Sequence, residues 1–159
     1  MVIMFKSGLM IAAMVAGLSS TAMAEGPDKG IERVTSPLGV EEVDQRLRGA
    51  LEERGLTLVA VVDHTANARS VDLELPATRT FIFGNPKVGT PFMQCQGSVA
   101  LDLPQKMVLR EADGAIYLEW NSPRYLAERH GLEACGLPLE KVAAVLNELA
   151  REAAGEGNQ

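Results

Sequence analysis

The stretch KMVLREADGAIYLEW, residues 106–120, limits the fold of this chain more than any other part of its sequence. Apolar and polar residues alternate on both sides of Asp113-Gly114, a dipeptide preferred in two-residue hairpin turns. Alternation puts every second side chain on the same face of a strand, so one face can be buried while the other meets solvent. The stretch therefore predicts an antiparallel hairpin, and its core face carries Met107, Leu109, Ile116, Leu118 and Trp120.

Three segments have the spacing of amphipathic helices. Apolar residues recur every three or four positions from Val40 to Leu51 and from Leu139 to Ala153. A shorter helix is predicted to begin at Pro123 and to end at Gly131, because proline suits a first turn and glycine a C-terminal cap.

Further strands are predicted between these helices. The run 56–64 is rich in β-branched residues and nearly all apolar, which predicts a strand buried on both faces or nearly so. Residues 78–85 predict a second strand and residues 98–104 a third, with a short helix around Thr90–Cys95 between them. Clustered strands and a hairpin flanked by helices indicate an α+β fold, a single domain with a mostly antiparallel sheet.

The amino terminus has the pattern of a secretory signal peptide. Lys6 precedes an apolar run from Gly8 to Leu18, and Ala22-Met23-Ala24 provides an A-x-A cleavage site. The apolar run is too short to span a bilayer, which takes roughly 20 residues. We therefore expect a periplasmic or secreted protein, with no membrane insertion after signal cleavage. The predicted organisation is a signal peptide at 1–24, a polar segment at 25–38, one α+β domain at 39–154 and a polar tail at 155–159.

The charge balance disfavours two classes of partner. The chain has 15 basic and 21 acidic residues, a formal net charge of -6. An acidic protein repels phosphate backbones and anionic lipid surfaces. Nucleic-acid binding is therefore not expected.

The only two cysteines are Cys95 and Cys135. Exported proteins reach an oxidising compartment, so a disulfide between them is the default prediction. Two separate buried thiols, or a reactive or metal-binding pair, remain alternatives, because the sequence alone does not show that the two residues are close.

A glycine-containing stretch, FIFGNPKVGTPFMQ at 81–94, resembles the phosphate-binding loop of nucleotide-binding proteins. That loop needs Lys and then a hydroxyl residue after its last glycine, whereas Thr90 and Pro91 follow Gly89 here. Nucleotide binding is therefore not predicted. We expect instead that this stretch forms a polar ligand site together with the end of the preceding strand. The predicted ligand-binding residues are His64, Gly84, Asn85, Lys87, Gly89 and Thr90.

Two histidines offer a metal site or a redox site as alternatives. His64, Met93 and His130 together would suit a soft metal such as copper, and His64 with Cys95 or Met93 would suit a redox or metal-dependent enzyme. None of these residues shows ligand spacing in the sequence, and each histidine could instead stabilise the end of a helix or turn. Asp102, within an apolar run, is expected to bond to a loop rather than to act as a base.

Several ordered motifs resemble the family called domain of unknown function 302. They are FIFGNPKVGTPFM at 81–93, the stretch from Val99 to Leu132, and VDHTANA at 62–68. The resemblance implies a compact α+β domain with a curved antiparallel sheet backed by helices, similar to one half of a TATA-binding-protein-like fold. It implies no activity, and one departure is Gln105, which stands where the family usually has an apolar residue.

Three functions are compatible with this sequence. The first is an exported binding or accessory domain that holds a small ligand, a metal or a protein partner in the cell envelope, with a homo-oligomer as one form. The second is the enzyme built on His64 described above. The third is a structural domain that forms oligomers.

Overall fold

A five-stranded antiparallel sheet forms the centre of the fold, in a computed structural model that describes residues 30–156. Its strands are β1 (Ile31–Ser36), β2 (Thr57–Asp63), β3 (Thr78–Gly84), β4 (Gln105–Ala112) and β5 (Ala115–Asn121). They lie in the order β1-β5-β4-β3-β2, so β1 and β2 are the two edges. The predicted signal peptide, residues 1–24, lies outside the described residues.

Five helices and two short 3₁₀ turns complete the described part of the chain. The helices are α1 (Val40–Glu53), α2 (His64–Arg69), α3 (Pro86–Cys95), α4 (Pro123–His130) and α5 (Leu139–Ala153). The 3₁₀ turns are Gly97–Leu101 and Glu133–Cys135. The α+β prediction and its antiparallel sheet are confirmed.

The predicted hairpin is present with its expected turn. β4 and β5 pair from Met107 with Trp120 to Ala112 with Ala115. Asp113 and Gly114 both have positive φ, 53° and 75°, which the favoured two-residue turn requires. The predicted core side chains on these strands are buried, except that Ile116 is only partly so.

One face of the sheet is covered by α1 and α5. The apolar stripe of each helix packs on the side chains that β3, β4 and β5 direct toward it. Phe81, Phe83, Met107, Leu109 and Leu118 are at most 1% exposed. The opposite face of the sheet alternates with them, and Thr80, Ile82, Val108 and Tyr117 there are half-buried.

The prediction that 56–64 is buried on both faces is wrong. β2 is an edge strand, and Val59 is 61% exposed beside a bulge between Leu58 and Ala60. Leu58 and Val61 pack against the core, while Ala60 and Val62 belong to the other face. The apolar residues of this strand thus include several that the chain leaves uncovered.

The prediction of a strand at 98–104 is also wrong. Residues Gly97–Leu101 form a 3₁₀ turn in which the amide of Leu103 donates to the carbonyl of Val99 at 3.0 Å. Val99 is buried and Leu101 is 75% exposed. The alternating apolar residues suggested a strand, but Val99 and Leu103 are also four residues apart, which is the spacing of one helical turn.

Two boundaries differ from those predicted. Helix α3 begins at Pro86 rather than at Thr90, because the Asn85 side chain accepts a hydrogen bond from the amide of Lys87 at 2.9 Å and caps the helix. Pro91 therefore lies inside α3 and not in its first turn. Strand β1 lies within the segment predicted to be polar and outside the domain, and it pairs with β5.

Candidate functional site

An apolar groove of about 490 Å³ lies between α3 and α5, at the end of the sheet where β3 ends and β4 begins. Its volume falls within the roughly 300–1,000 Å³ typical of ligand pockets. Residues from β2, from α4 and from the first 3₁₀ turn complete its walls. Its apolar lining includes Val59, Phe83, Val88, Phe92, Met93, Val99, Leu103, Leu126, Leu132, Val142, Val145 and Leu146.

Helix α3 forms one wall of the groove. Its proline and glycine residues are typical of a loop, but in the structure the segment is a helix anchored to the rest of the fold. Phe92 is 8% exposed and packs with Val99, Ala127 and Leu132 in a second apolar cluster. Val88 and Met93 line the groove yet remain 44% and 38% exposed. The wall is thus held from behind while its front is free to contact a ligand.

The charged and polar groups of the groove lie mainly at its rim. Thr57, Asn85, Thr90, Gln105 and Lys141 are its principal polar lining residues, and none of its lining residues within 30–156 is acidic. Lys141 is exposed on α5, and Lys87 is exposed on α3 next to two lining residues. A ligand with an aliphatic body and a negative charge would find both a matching surface and cations beside it.

Most of the predicted ligand-binding residues gather at this groove. Gly84, Asn85, Gly89 and Thr90 line it, as does Met93 from the predicted metal set, and Lys87 lies beside it. Thr90 lies within α3 rather than at its start, since the helix begins four residues earlier, so the backbone amides after Thr90 are not free helix-terminal donors. The groove therefore uses these residues as an apolar wall rather than as an anion-binding loop.

His64 lies elsewhere. β2 and β3 are antiparallel, with Thr57 opposite Gly84 and Asp63 opposite Arg79, so the end of β2 meets the start of β3. His64 Nε2 lies 2.9 Å from Thr80 Oγ1, four residues before Gly84, or about 13 Å along the strand. The cap of α2 comes from Asp63, whose side chain accepts from the amide of Ala66 at 2.8 Å. The structure does not bring His64 to the groove.

His130 links two elements that each contribute residues to the groove lining. Its Nε2 lies 2.6 Å from an Asp102 carboxylate oxygen and its Nδ1 lies 2.9 Å from Ser98 Oγ. The imidazole is 4% exposed, and both of its nitrogens have partners. The chain Ser98–His130–Asp102 joins α4 to the first 3₁₀ turn, so the side-chain partner of Asp102 is a helix residue rather than the loop that was expected.

The predicted metal set is not assembled. His64, Met93 and His130 have different surroundings, and no group of three or more His, Cys, Asp or Glu residues within 30–156 could hold a metal ion.

Cys95 and Cys135 form a disulfide, with their Cα atoms 6.2 Å apart. The bond joins the end of α3 to the second 3₁₀ turn, and Cys135 packs against the cluster that contains Phe92. Neither cysteine is then a free thiol. The pairing of His64 with a Cys95 thiol is not formed in this structure.

The face of the sheet opposite α1 and α5 carries an ion-pair network. Glu119 receives hydrogen bonds from Arg110 at 2.5 and 2.8 Å and from Arg33 at 2.6 Å. Both guanidinium groups also lie about 5 Å from the Tyr117 ring, at 4.9 and 5.0 Å. The hydrogen bonds from Arg110 are the main cause that lowers the pKa of Glu119, burial opposes them, and Arg33 adds to the lowering.

Replacing Glu119 by glutamine is expected to lower the free energy of unfolding at neutral pH by about 1 kcal/mol, the upper range for a partly exposed ion pair. Because folding lowers the pKa of Glu119, its contribution is present above the ordinary glutamate pKa and is lost as pH falls through the folded value. Urea unfolding at pH 7 and at about pH 3 should therefore show a smaller difference at pH 3 than at pH 7. Glu111→Gln, an exposed site on the same hairpin, is the control. An equal loss at both pH values would contradict this assignment.

The α5 wall was missed by reasoning from sequence. The sequence was interpreted there only as an amphipathic helix, and its predicted apolar stripe did not include Val145. That stripe consists of Leu139, Val142, Ala143, Leu146, Leu149 and Ala150. The available signal was the extra valine, which widens the apolar face beyond what packing on the sheet requires.

The model of the family "Domain of unknown function DUF302" matches residues 32–152. A crystal structure of a DUF302 protein from Bacillus stearothermophilus superposes with a TM-score of 0.72 at 17% identity, covering 78% of this chain and 98% of that one. The chain belongs to the DUF302 family, and the likeness to the solved structure shows the shared fold.

Longer relatives carry a functional name. Proteins called "Fluoride-specific ion channel FluC 1" from Brucella suis biovar 1 (strain 1330) and Brucella abortus biovar 1 (strain 9-941) are each 37% identical over 111 residues. The match covers 69% of this chain but only 44% and 41% of those relatives, so this chain spans less than half of their length. Among residues 30–156, no helix has the length and apolar character that a bilayer span needs.

Proposed function

We propose that this protein is an exported binding domain whose groove takes aliphatic ligands that carry a negative charge. The observation that carries the proposal is the apolar groove between α3 and α5, with Lys141 in its lining and the exposed Lys87 between two lining residues of α3. Burying aliphatic carbon contributes about 0.8 kcal/mol per methylene. The cations orient the charged end of the ligand toward solvent, where it keeps its hydration.

Export rests on the signal-like sequence described above and is supported by the disulfide, since such bonds persist in oxidising compartments. Amino-terminal sequencing of the protein recovered from outside the cytoplasm should begin at Glu25. An intact Met1 on a membrane-bound form would contradict export.

Decanoate is a suitable probe for the groove, because it joins an aliphatic chain to a carboxylate. Isothermal titration should show saturable binding to the wild-type protein. Val145→Glu should weaken that binding at least about tenfold, because it puts a charge on an apolar wall and repels the carboxylate. Ala144→Glu, which adds the same charge on the exposed side of the same helix, is the matched control. Equal affinity in the two variants would refute the proposed site.

A second candidate function is a role beside fluoride transport, favoured by the names of the Brucella relatives. In this case the groove would hold an apolar segment of a membrane protein. Host cells lacking this protein should then grow less well in fluoride, and growth should be restored by the wild type but not by Val145→Glu. Unchanged fluoride tolerance in the deletion strain would remove this candidate.

A further inference from the structure

Within residues 30–156, three apolar features are exposed to solvent, and one symmetric arrangement covers them all. We propose that two copies pair along their β2 edges about a twofold axis, and that residues 70–76 of each copy, here called the arm, enter the groove of the other. The proposal rests on the proposed function, since it assumes that the groove takes aliphatic groups accompanied by negative charge.

The arm has the chemistry that the groove would accept. Val71, Leu73 and Leu75 alternate along it and are 63%, 65% and 40% exposed. Asp72 and Glu74 lie between them. Large aliphatic side chains exposed together mark interaction surfaces more often than single ones do. The arm thus presents aliphatic groups together with carboxylates.

The β2 edge is open to pairing. From Thr57 to Val62 the strand has no charged residue, and Val59 and Ala60 are exposed. Edge strands usually carry charges or proline that prevent pairing with another chain. The opposite edge, β1, does carry charges, at Glu32 and Arg33. β2 is therefore the edge that can accept a further strand, along its regular part from Ala60 to Val62, since the bulge between Leu58 and Ala60 interrupts the ladder at Val59.

The positions of arm and groove require a second copy. The groove is bounded by the start of β2, at Thr57, whereas the arm follows α2 beyond the strand's other end. Thr65 holds the base of the arm there, since its hydroxyl donates to the Pro76 carbonyl and accepts from the Thr78 amide, both at 2.9 Å. The two ends of β2 are roughly 20 Å apart, so the arm does not reach its own groove.

Twofold pairing removes this separation. In an antiparallel pair the end of one β2 lies beside the start of the other. An axis near Ala60, the middle of the strand, therefore brings each arm to the partner's groove, and the contact is made twice. The charges agree as well, because Asp72 and Glu74 of the arm approach Lys87 and Lys141 at the groove margin.

Sedimentation velocity over a concentration series tests the arm. The wild-type protein should be a dimer, and Leu73→Ser should weaken the dimer by roughly 100-fold, since the lost leucine contact occurs twice. Leu101→Ser removes a leucine that is even more exposed, 75% against 65% for Leu73, and lies outside the arm and the groove, so it should leave the dimer unchanged. A monomeric wild type overturns the proposal, and so does an equal effect of the two substitutions.

The edge and the groove are tested separately. Ala60→Lys should dissociate the dimer, because two ammonium groups then face each other across the axis, whereas Thr35→Lys on the β1 edge should not. Val145→Glu should also dissociate it, and Ala144→Glu should not. A dimer broken by Thr35→Lys and retained by Ala60→Lys would overturn the β2 pairing, and a dimer unaffected by Val145→Glu would overturn the arm in the groove.

Decanoate titration distinguishes failure of this inference from failure of the proposed function. Freed of the arm, the Leu73→Ser variant should bind decanoate more tightly than the wild type does. A dimer that responds to all the substitutions as expected, with no decanoate bound by Leu73→Ser, refutes the ligand function alone. A monomeric wild type that binds decanoate refutes the dimer alone.

Discussion

Phe81→Ala should lower the free energy of unfolding by about 3–5 kcal/mol, the usual range for truncating a buried phenylalanine. Phe81 is 0% exposed and lies where β3 packs under the helices α1 and α5. The loss combines the transfer of the ring to water with the cavity that remains. Urea unfolding followed by circular dichroism measures it.

Ile82→Ala is the matched control for this prediction. Ile82 follows Phe81 directly but belongs to the other face of the sheet, where it is half-buried. Its truncation should lower the free energy of unfolding by less than half as much, because part of the Ile82 side chain is already exposed to water in the folded protein. Equal losses at the two positions would contradict a core confined to one face.

Removing the disulfide has the second-largest expected effect. The bond closes a loop between residues 40 apart in sequence. The chain-entropy model gives about 4 kcal/mol for a loop of that length, because the cross-link restricts the unfolded chain. The double variant Cys95→Ser/Cys135→Ser should therefore unfold at a lower urea concentration than the oxidised wild type.

Reduction of the wild type provides the control. Dithiothreitol should shift the wild type to the stability of the double variant and leave the variant itself unchanged. If reduction leaves wild-type stability unchanged, the disulfide does not contribute as described. Two alkylatable thiols in protein taken directly from its compartment would show that the bond does not form there.

Local signals in the sequence predicted the elements that depend on local physics. The Asp113-Gly114 turn, the helical stripe of α5 and the Gly131 cap each follow from backbone preferences within a few residues. The start of α3 was missed because Gly89 and Pro91, which disfavour helix formation, lie within the helix. Asn85 and Pro86 begin it, as N-cap and first helical residue.

Elements set by distant partners were less predictable. The sequence of β1 is mostly polar, and only Val34 and Ser36 of this strand are buried. It forms a strand because it pairs with β5, about 85 residues later in the chain. The contact of Arg33 with Glu119, at a separation of 86 residues, is part of that pairing. β2 looks like a central strand because its apolar residues include those facing the groove and the open edge. Position in the sheet, which decides both, is a tertiary property.

The candidate site was predicted only in part, because its local residues could be recognised in the sequence but the position of a distant residue could not. Gly84 to Met93 lie within one short stretch, so the sequence suggested that they act together. His64 was assigned to them because it follows a neighbouring strand. In an antiparallel pair, however, the end of one strand meets the start of the next, which moves His64 to the other end of β3.

Methyl NMR of the mature chain labelled at methionine tests the groove most directly. Of the seven methionines, only Met93 and Met107 lie beyond the predicted signal peptide. Met93 lines the groove, whereas Met107 is 0% exposed in the main core and serves as an internal reference. On titration with decanoate, a saturable shift of the Met93 methyl signal is expected while the Met107 signal stays in place. A Met93 signal that does not move, or equal shifts at both methionines, would contradict a binding groove between α3 and α5.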